Sequence, residues 1–430
     1  MKIEPITVNI EGGLDYPFPP LVPVDQHFKH ETLGNIEATI SSELDKISAQ
    51  NISGKSIAIT VGSRGIDGLV EIISSLVSGL KKRGGLPFIV PSMGSHGGAT
   101  AEGQIQVLAS YGITEASTGA EICSSMDVIE VGSLSDGTPL FIDSFAAQAD
   151  GIIVANKIKP HADFKASYES GLLKMLCIGL GKHKGAVTLH QHGFENFKDV
   201  IPEAAQVLLQ KLPILFGLAI LENAFDKLMK LEIIKPSKIM EREKELLYTA
   251  KTSIGKLMFE KIDLLIIDEI GKNISGEGMD PNVTGRPGSN LPGFSDAPEI
   301  SKIVVLDVTP ESHGNGVGIG MADVTTRQFI EKIDLGMIYT NAITATILGP
   351  AKIPLIMNSD REAIAVALKT CNRITPKSVR IARIKNTLEL HRIWVSEGLI
   401  EEVKHNPNQS VMGESSPMRF DTAGKLLSAE

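Results

Sequence analysis

Two histidines stand where a chain can bring its backbone close to a small molecule. His96 sits within Gly94-Ser95-His96-Gly97-Gly98, and His161 follows Pro160. Imidazole exchanges protons near neutral pH, so it serves as a general acid or base. Glycines permit close backbone approach to a ligand. Both histidines are therefore read as functional rather than as ordinary surface residues. Lys174 lies inside the apolar run Leu172-Leu173-Lys174-Met175-Leu176. An amine there snorkels to water, pairs with an acid, or loses its proton and becomes a nucleophile. On the residues alone, snorkelling is the simplest of the three. His190-Gln191-His192 offers imidazoles of a kind that suit nickel, copper or zinc. A strand over 187–192 would put both rings on one face, and a helix would separate them. The three cysteines are spread over positions 123, 177 and 371, which is neither a disulfide framework nor a CxxC site. Cys177, in an apolar run, reads as an inert buried thiol.

Short apolar runs alternate with amphipathic stretches, the pattern of α/β layers. Ser56–Val61 reads as a buried strand and leads into Gly62-Ser63-Arg64-Gly65. The spacing of Leu69, Ile72, Ile73, Leu76 and Leu80 predicts a helix over 66–83. A second strand over 86–90 runs into the His96 loop, and Thr100 caps a helix towards Tyr111. A third strand, 151–155, runs into Lys157-Ile158-Lys159-Pro160-His161. Three strands thus end in loops carrying Arg64, His96 and His161. In open parallel sheets, ligands sit beyond the carboxyl ends of the strands. The charged stretch 240–256 reads as a connecting helix. Strands over 262–268, 303–308 and 355–357 then form a second α/β region. The expectation is two α/β domains with mainly parallel sheets, 1–250 and 251–430, and a cofactor cleft between them. The polar segment 406–430 is either a free tail or packs back on the body.

The net charge of −9 argues against broad nucleic-acid binding, which needs a basic face. The N-terminus lacks the basic and apolar regions of a signal peptide, and no apolar run is long enough to span a membrane. A cytoplasmic protein without membrane or nucleic-acid partners is expected. Gly314 to Gly320 misses the GxGxxG spacing, and the Gly94 loop lacks GK[ST]. Neither GxSxG nor HExxH occurs.

The order of these residues resembles the lactate racemase family. It runs from Arg64 through Gly-Ser-His96-Gly and Pro160-His161 to Ser-Gly-Leu-Leu-Lys174 and His190. The stretches Asp268 to Gly276 and Gly278 to Asn282 look like that family's C-terminal domain. The resemblance implies a nickel-pincer nucleotide, a pyridinium mononucleotide whose sulfur-bearing arms and ring carbon grip nickel. By resemblance, Lys174 forms the thioamide tether, His190 completes the nickel coordination, and His96 and His161 are the paired bases. Arg64 matches an arginine that holds substrate. Lys272, Asn282 and Arg286 are candidates for the remaining substrate contacts. Gly62, Ser63 and Gly97, near helix N-termini, are candidates for cradling the nucleotide phosphate. Proteins that synthesise the cofactor are implied as transient partners. Two departures bear on the substrate. Val61 stands where the family pattern has an aspartate, and the stretch between His161 and Lys174 looks longer than the pattern. They favour a 2-hydroxy acid other than lactate.

The expected function is inversion at C2 of a 2-hydroxy acid. Taking a proton from carbon beside a carboxylate places charge next to charge. Taking hydride instead leaves a neutral ketone, and a histidine takes the hydroxyl proton. The alternatives are a zinc-dependent hydrolase built on His190 and His192, and a non-catalytic binder of nickel or of the nucleotide.

Overall fold

The computed structural model describes residues 3–63 and 65–428. The chain divides into two compact units, one of residues 29–254 and one of 1–28 with 255–430. The expected first domain began at residue 1. Instead Leu21–Gln26 is a strand of the second unit, paired antiparallel with Arg392–Ser396 on one side and Gln409–Val411 on the other.

The 29–254 unit is built on a five-stranded sheet. Its order is Leu86–Pro91, Ser56–Val61, Gly151–Lys157, Ile214–Glu222 and Leu228–Ile234. The first four strands run parallel and the last is antiparallel. Ser56–Val61 is buried from Ile57 to Val61 without alternation, as expected of a parallel strand covered on both faces. The helix Leu69–Lys82 buries Leu69, Ile72, Ile73, Leu76, Val77 and Leu80, one stripe at helical spacing. Thr100 does cap the helix Ala101–Ser110, its Oγ1 accepting from Gly103 N at 3.0 Å. Because Ser56–Val61, Leu86–Pro91 and Gly151–Lys157 are parallel neighbours, the loops that follow them leave one edge of one sheet.

The charged helix is Ile239–Ser253, and it is not a connector. It buries Ile239, Glu243, Leu246, Leu247 and Ala250 within the 29–254 unit.

The other unit holds an eight-stranded sheet. Its strands Leu355–Met357, Val324–Thr326, Glu299–Val308, Lys261–Ile270 and Ile381–Ile384 run parallel. Arg392–Ser396, Leu21–Gln26 and Gln409–Val411 complete it antiparallel. The C-terminal segment packs back on this unit. Leu426 is buried, its N–H donates to Asp360 Oδ2 at 2.8 Å, and Leu427 O accepts from Arg383 Nη1 at 3.0 Å. Among the described residues no helix is long and apolar enough to cross a membrane.

Candidate active site

The chain between Gly171 and His190 is a helix interrupted by a π-helical turn over Met175–Gly179, then continued as Lys182–His190. π-turns inside helices often mark functional sites. Lys174 lies just before this turn, half-buried, and its Nζ contacts Nε2 of His161.

His161 is buried. The backbone N–H of Asp163 donates to its Nδ1 at 3.0 Å, so the neutral ring carries its proton on Nε2. Burial first, then the surrounding Lys174, Lys159 and Lys165, push the His161 pKa well below the ordinary histidine value.

His190 ends its helix, with Nδ1 at 2.6 Å from Ala186 O. A carbonyl can only accept, so Nδ1 carries the proton and Nε2 the lone pair, as a metal ligand requires. Burial lowers the His190 pKa as well. Phe194 joins the two rings, with centroids 5.7 Å from His161 and 5.4 Å from His190. Phe164 and Phe197 extend this apolar wall. His192 turns elsewhere. Its Nε2 lies 3.1 Å from Thr138 Oγ1, and its Nδ1 3.9 Å from Asp136. Residues 187–190 are helical, so the imidazoles of His190 and His192 diverge.

Two buried carboxyl groups hold this cluster, and the sequence reading passed over both. Glu169 is 1% exposed. It accepts from the backbone N of His161 at 2.7 Å and of Ala166 at 3.2 Å, and pairs with Lys165 and Lys251 at 3.3 and 2.5 Å. Lys165 also donates to His161 O at 3.0 Å, so the histidine backbone is gripped on both sides. Glu243 reaches from the Ile239–Ser253 helix to the start of the Lys174 helix, where its Oε2 accepts from Leu173 N at 3.0 Å. A Cβ on Gly171 would lie 2.3 Å from Glu243 Oε1, which is why that position tolerates no side chain. Burial raises the Glu243 pKa to about 8, against the opposing pull of the Leu173 and Leu172 N–H groups. Four other charged residues, Glu241, Arg242, Lys244 and Glu245, crowd 241–245, so nothing in the local pattern distinguishes Glu243.

His96 is set differently. It is exposed, and its Nδ1 lies 2.5 Å from Ser63 Oγ. A hydroxyl donates or accepts, so this bond leaves the tautomer open. Gly62 is half-buried beside Met175 and Asn156, where a Cβ would come within 3.1 Å of Met175 Cε. Gly97 has φ +66°, and a Cβ there would meet the backbone of Gly103 and Gln104 at 2.6–2.7 Å. Close packing of loop on helix thus accounts for Gly97 without a ligand. Arg64, the expected substrate arginine, lies outside the described residues.

The remaining candidates lie in the other unit. Lys272 Nζ donates to Gly276 O at 2.6 Å, within the loop after Lys261–Ile270. Asn282 caps back on Asp280 Oδ1, its Nδ2 at 2.7 Å. Arg286 directs Nη1 to Met321 O and Asp323, and Nη2 to Ile300 O and Ser301 O, all at 2.7–3.0 Å. That is a tie between loops and strand ends. Among the described residues, no three His, Cys, Asp or Glu side chains converge as a metal site.

A lysine and the histidines His161 and His190 gather beyond the parallel strands of an α/β sheet. Residues 36–200 match the lactate racemase N-terminal domain. The fold is similar to that of the lactate racemase apoprotein from Thermoanaerobacterium thermosaccharolyticum, with a TM-score of 0.53 at 15% identity. The match covers 86% of this chain and 99% of that one. No curated protein matches the sequence.

Proposed function

We propose that this protein is a racemase or epimerase acting at C2 of a 2-hydroxy acid, with a nickel-pincer nucleotide tethered to Lys174. The observation that carries the proposal is the Lys174 amine in contact with Nε2 of His161, with His190 across Phe194. These residues fit the group. Lys174 supplies a nucleophilic amine for the thioamide, and His190 supplies an Nε2 lone pair for nickel. Bound, the group supplies a reversible hydride acceptor. His96 and His161 then take and return the hydroxyl proton on the two faces of the substrate. For His161 to accept at Nε2, its proton must move to Nδ1, and the Asp163 carboxylate, 3.8 Å from Nδ1, is placed to receive that N–H. A chain with net charge −9, and with Lys159, Lys165 and Lys174 around His161, suits a small anion rather than nucleic acid. Proteins that make and load the cofactor are its transient partners.

The hydrolase reading needs His190 and His192 on one metal, and their rings face different neighbours. Two measurements test the proposal. With C2-deuterated hydroxy acids, the product should retain deuterium at C2; complete washout into water would exclude hydride transfer. His190→Ala should lose nickel and His192→Ala should keep it; the reverse would make His192 the ligand.

A further inference from the structure

Between the tethering lysine and the nickel histidine stands a residue with two local costs. Lys182 is fully buried, with 0% exposure, and it has φ +53°. Burying an ammonium is expensive unless it is paired and hydrogen-bonded. The left-handed region is strained for a residue with a Cβ. Rule-breaking of this kind concentrates at functional sites.

The partners of Lys182 show what it holds. Its Nζ donates to Pro91 O at 2.8 Å and to Gln104 Oε1 at 2.6 Å, and lies 3.6 Å from Asp143 Oδ2. Gln104 is itself 0% exposed. With its oxygen taken by Lys182, its amide nitrogen points the other way. Nε2 donates to Gly94 O at 2.9 Å and to His96 O at 3.2 Å. Pro91 ends the strand from which the His96 loop leaves. Lys182 therefore grips the root of that loop directly and its tip through Gln104. It also fixes which way the Gln104 amide faces, since a flipped amide would set NH2 against the ammonium.

We propose that Lys182 and Gln104 are positioning residues for His96, coupling its loop to the helix that carries Lys174 and His190. This rests on the racemase reading for its catalytic consequence, and on the hydrogen-bond chain alone for its mechanical one. The two arms are tested separately.

Gln104→Glu keeps an acceptor for Lys182 and removes both donors to the loop. In the apoprotein, amide exchange over 93–99 should rise about tenfold, the scale of one or two net hydrogen bonds lost. The His96 imidazole 15N shifts should move while those of His161 stay. In the nickel-loaded enzyme, kcat per nickel should fall about tenfold with KM little changed, as when a group acting in the chemical step is displaced. Lys182→Met should act in the same direction; if it does not fold, Gln104→Glu decides. Unchanged exchange and unchanged His96 shifts in Gln104→Glu would overturn the positioning role. Loosened exchange with wild-type kcat would overturn its link to catalysis. If the wild-type protein turns over no hydroxy acid, the racemase reading fails, and the apoprotein arm still decides whether the pair holds the loop.

Discussion

The His161 loop and the His96 loop leave the same edge of one sheet, from the strands on either side of Ser56–Val61, yet they hold their imidazoles by opposite means. His161 is buried among aromatic rings, its tautomer set by the Asp163 N–H and its backbone gripped by Glu169 and Lys165. His96 is exposed, touches the ambivalent Ser63 hydroxyl, and has its carbonyl held by Gln104. On the proposed function, one base is built into the wall, with a depressed pKa, and the other onto a loop. Two equivalent chemical roles would then rest on unlike environments.

The largest expected effect separates the two histidines. His96→Ala and His161→Ala should each lower kcat about 10²–10⁴-fold, measured on nickel-loaded enzyme. Only His161→Ala should also lower the melting temperature, because it empties a site packed by Phe164 and Phe194. Equal melting temperatures would erase the distinction between wall and loop. Glu169→Gln should come next. It leaves Lys165 and Lys251 without their anion, and the loss should reach at most about 3–5 kcal/mol, since both lysines keep some access to water. Denaturant unfolding measures it, and activity should fall with the His161 loop rather than the His96 loop. The smallest effect is a pH dependence. Glu243 has its pKa raised from 4.5 to about 8, so its contribution is fully present below pH 4.5 and is lost as pH rises towards 8. His161 works in the opposite sense: its pKa lies below 6.5, so stability falls as pH drops under 6.5. Glu243→Gln should therefore raise the apoprotein melting temperature above pH 8 and change it little near pH 4.5. A uniform shift at all pH values would mean that Glu243 does not titrate in this way.

The strands Ser56–Val61, Leu86–Pro91 and Gly151–Lys157 were legible because strands buried on both faces read as unbroken apolar runs. The loops after them were legible through their glycines and Pro160. The strand Leu21–Gln26 was not. Its partners include Arg392–Ser396, and no local pattern carries the identity of a partner so distant in sequence. The supports of the site were hidden for a related reason. Glu169, Glu243 and Gln104 look like surface residues until the fold buries them, because burial of a polar group is a tertiary property. Lys182, next to an apolar run much like that around Lys174, carried the one readable hint.

The central claim is that Lys174 carries the cofactor. Intact-mass spectrometry of the protein, made in a host that synthesises the nickel-pincer nucleotide, tests it most directly. An added mass equal to the nucleotide less the water lost in forming the thioamide, mapped by peptide digestion to Lys174 and absent from Lys174→Ala, is the expected result. An unmodified mass, or an adduct on another residue that survives Lys174→Ala, would contradict it.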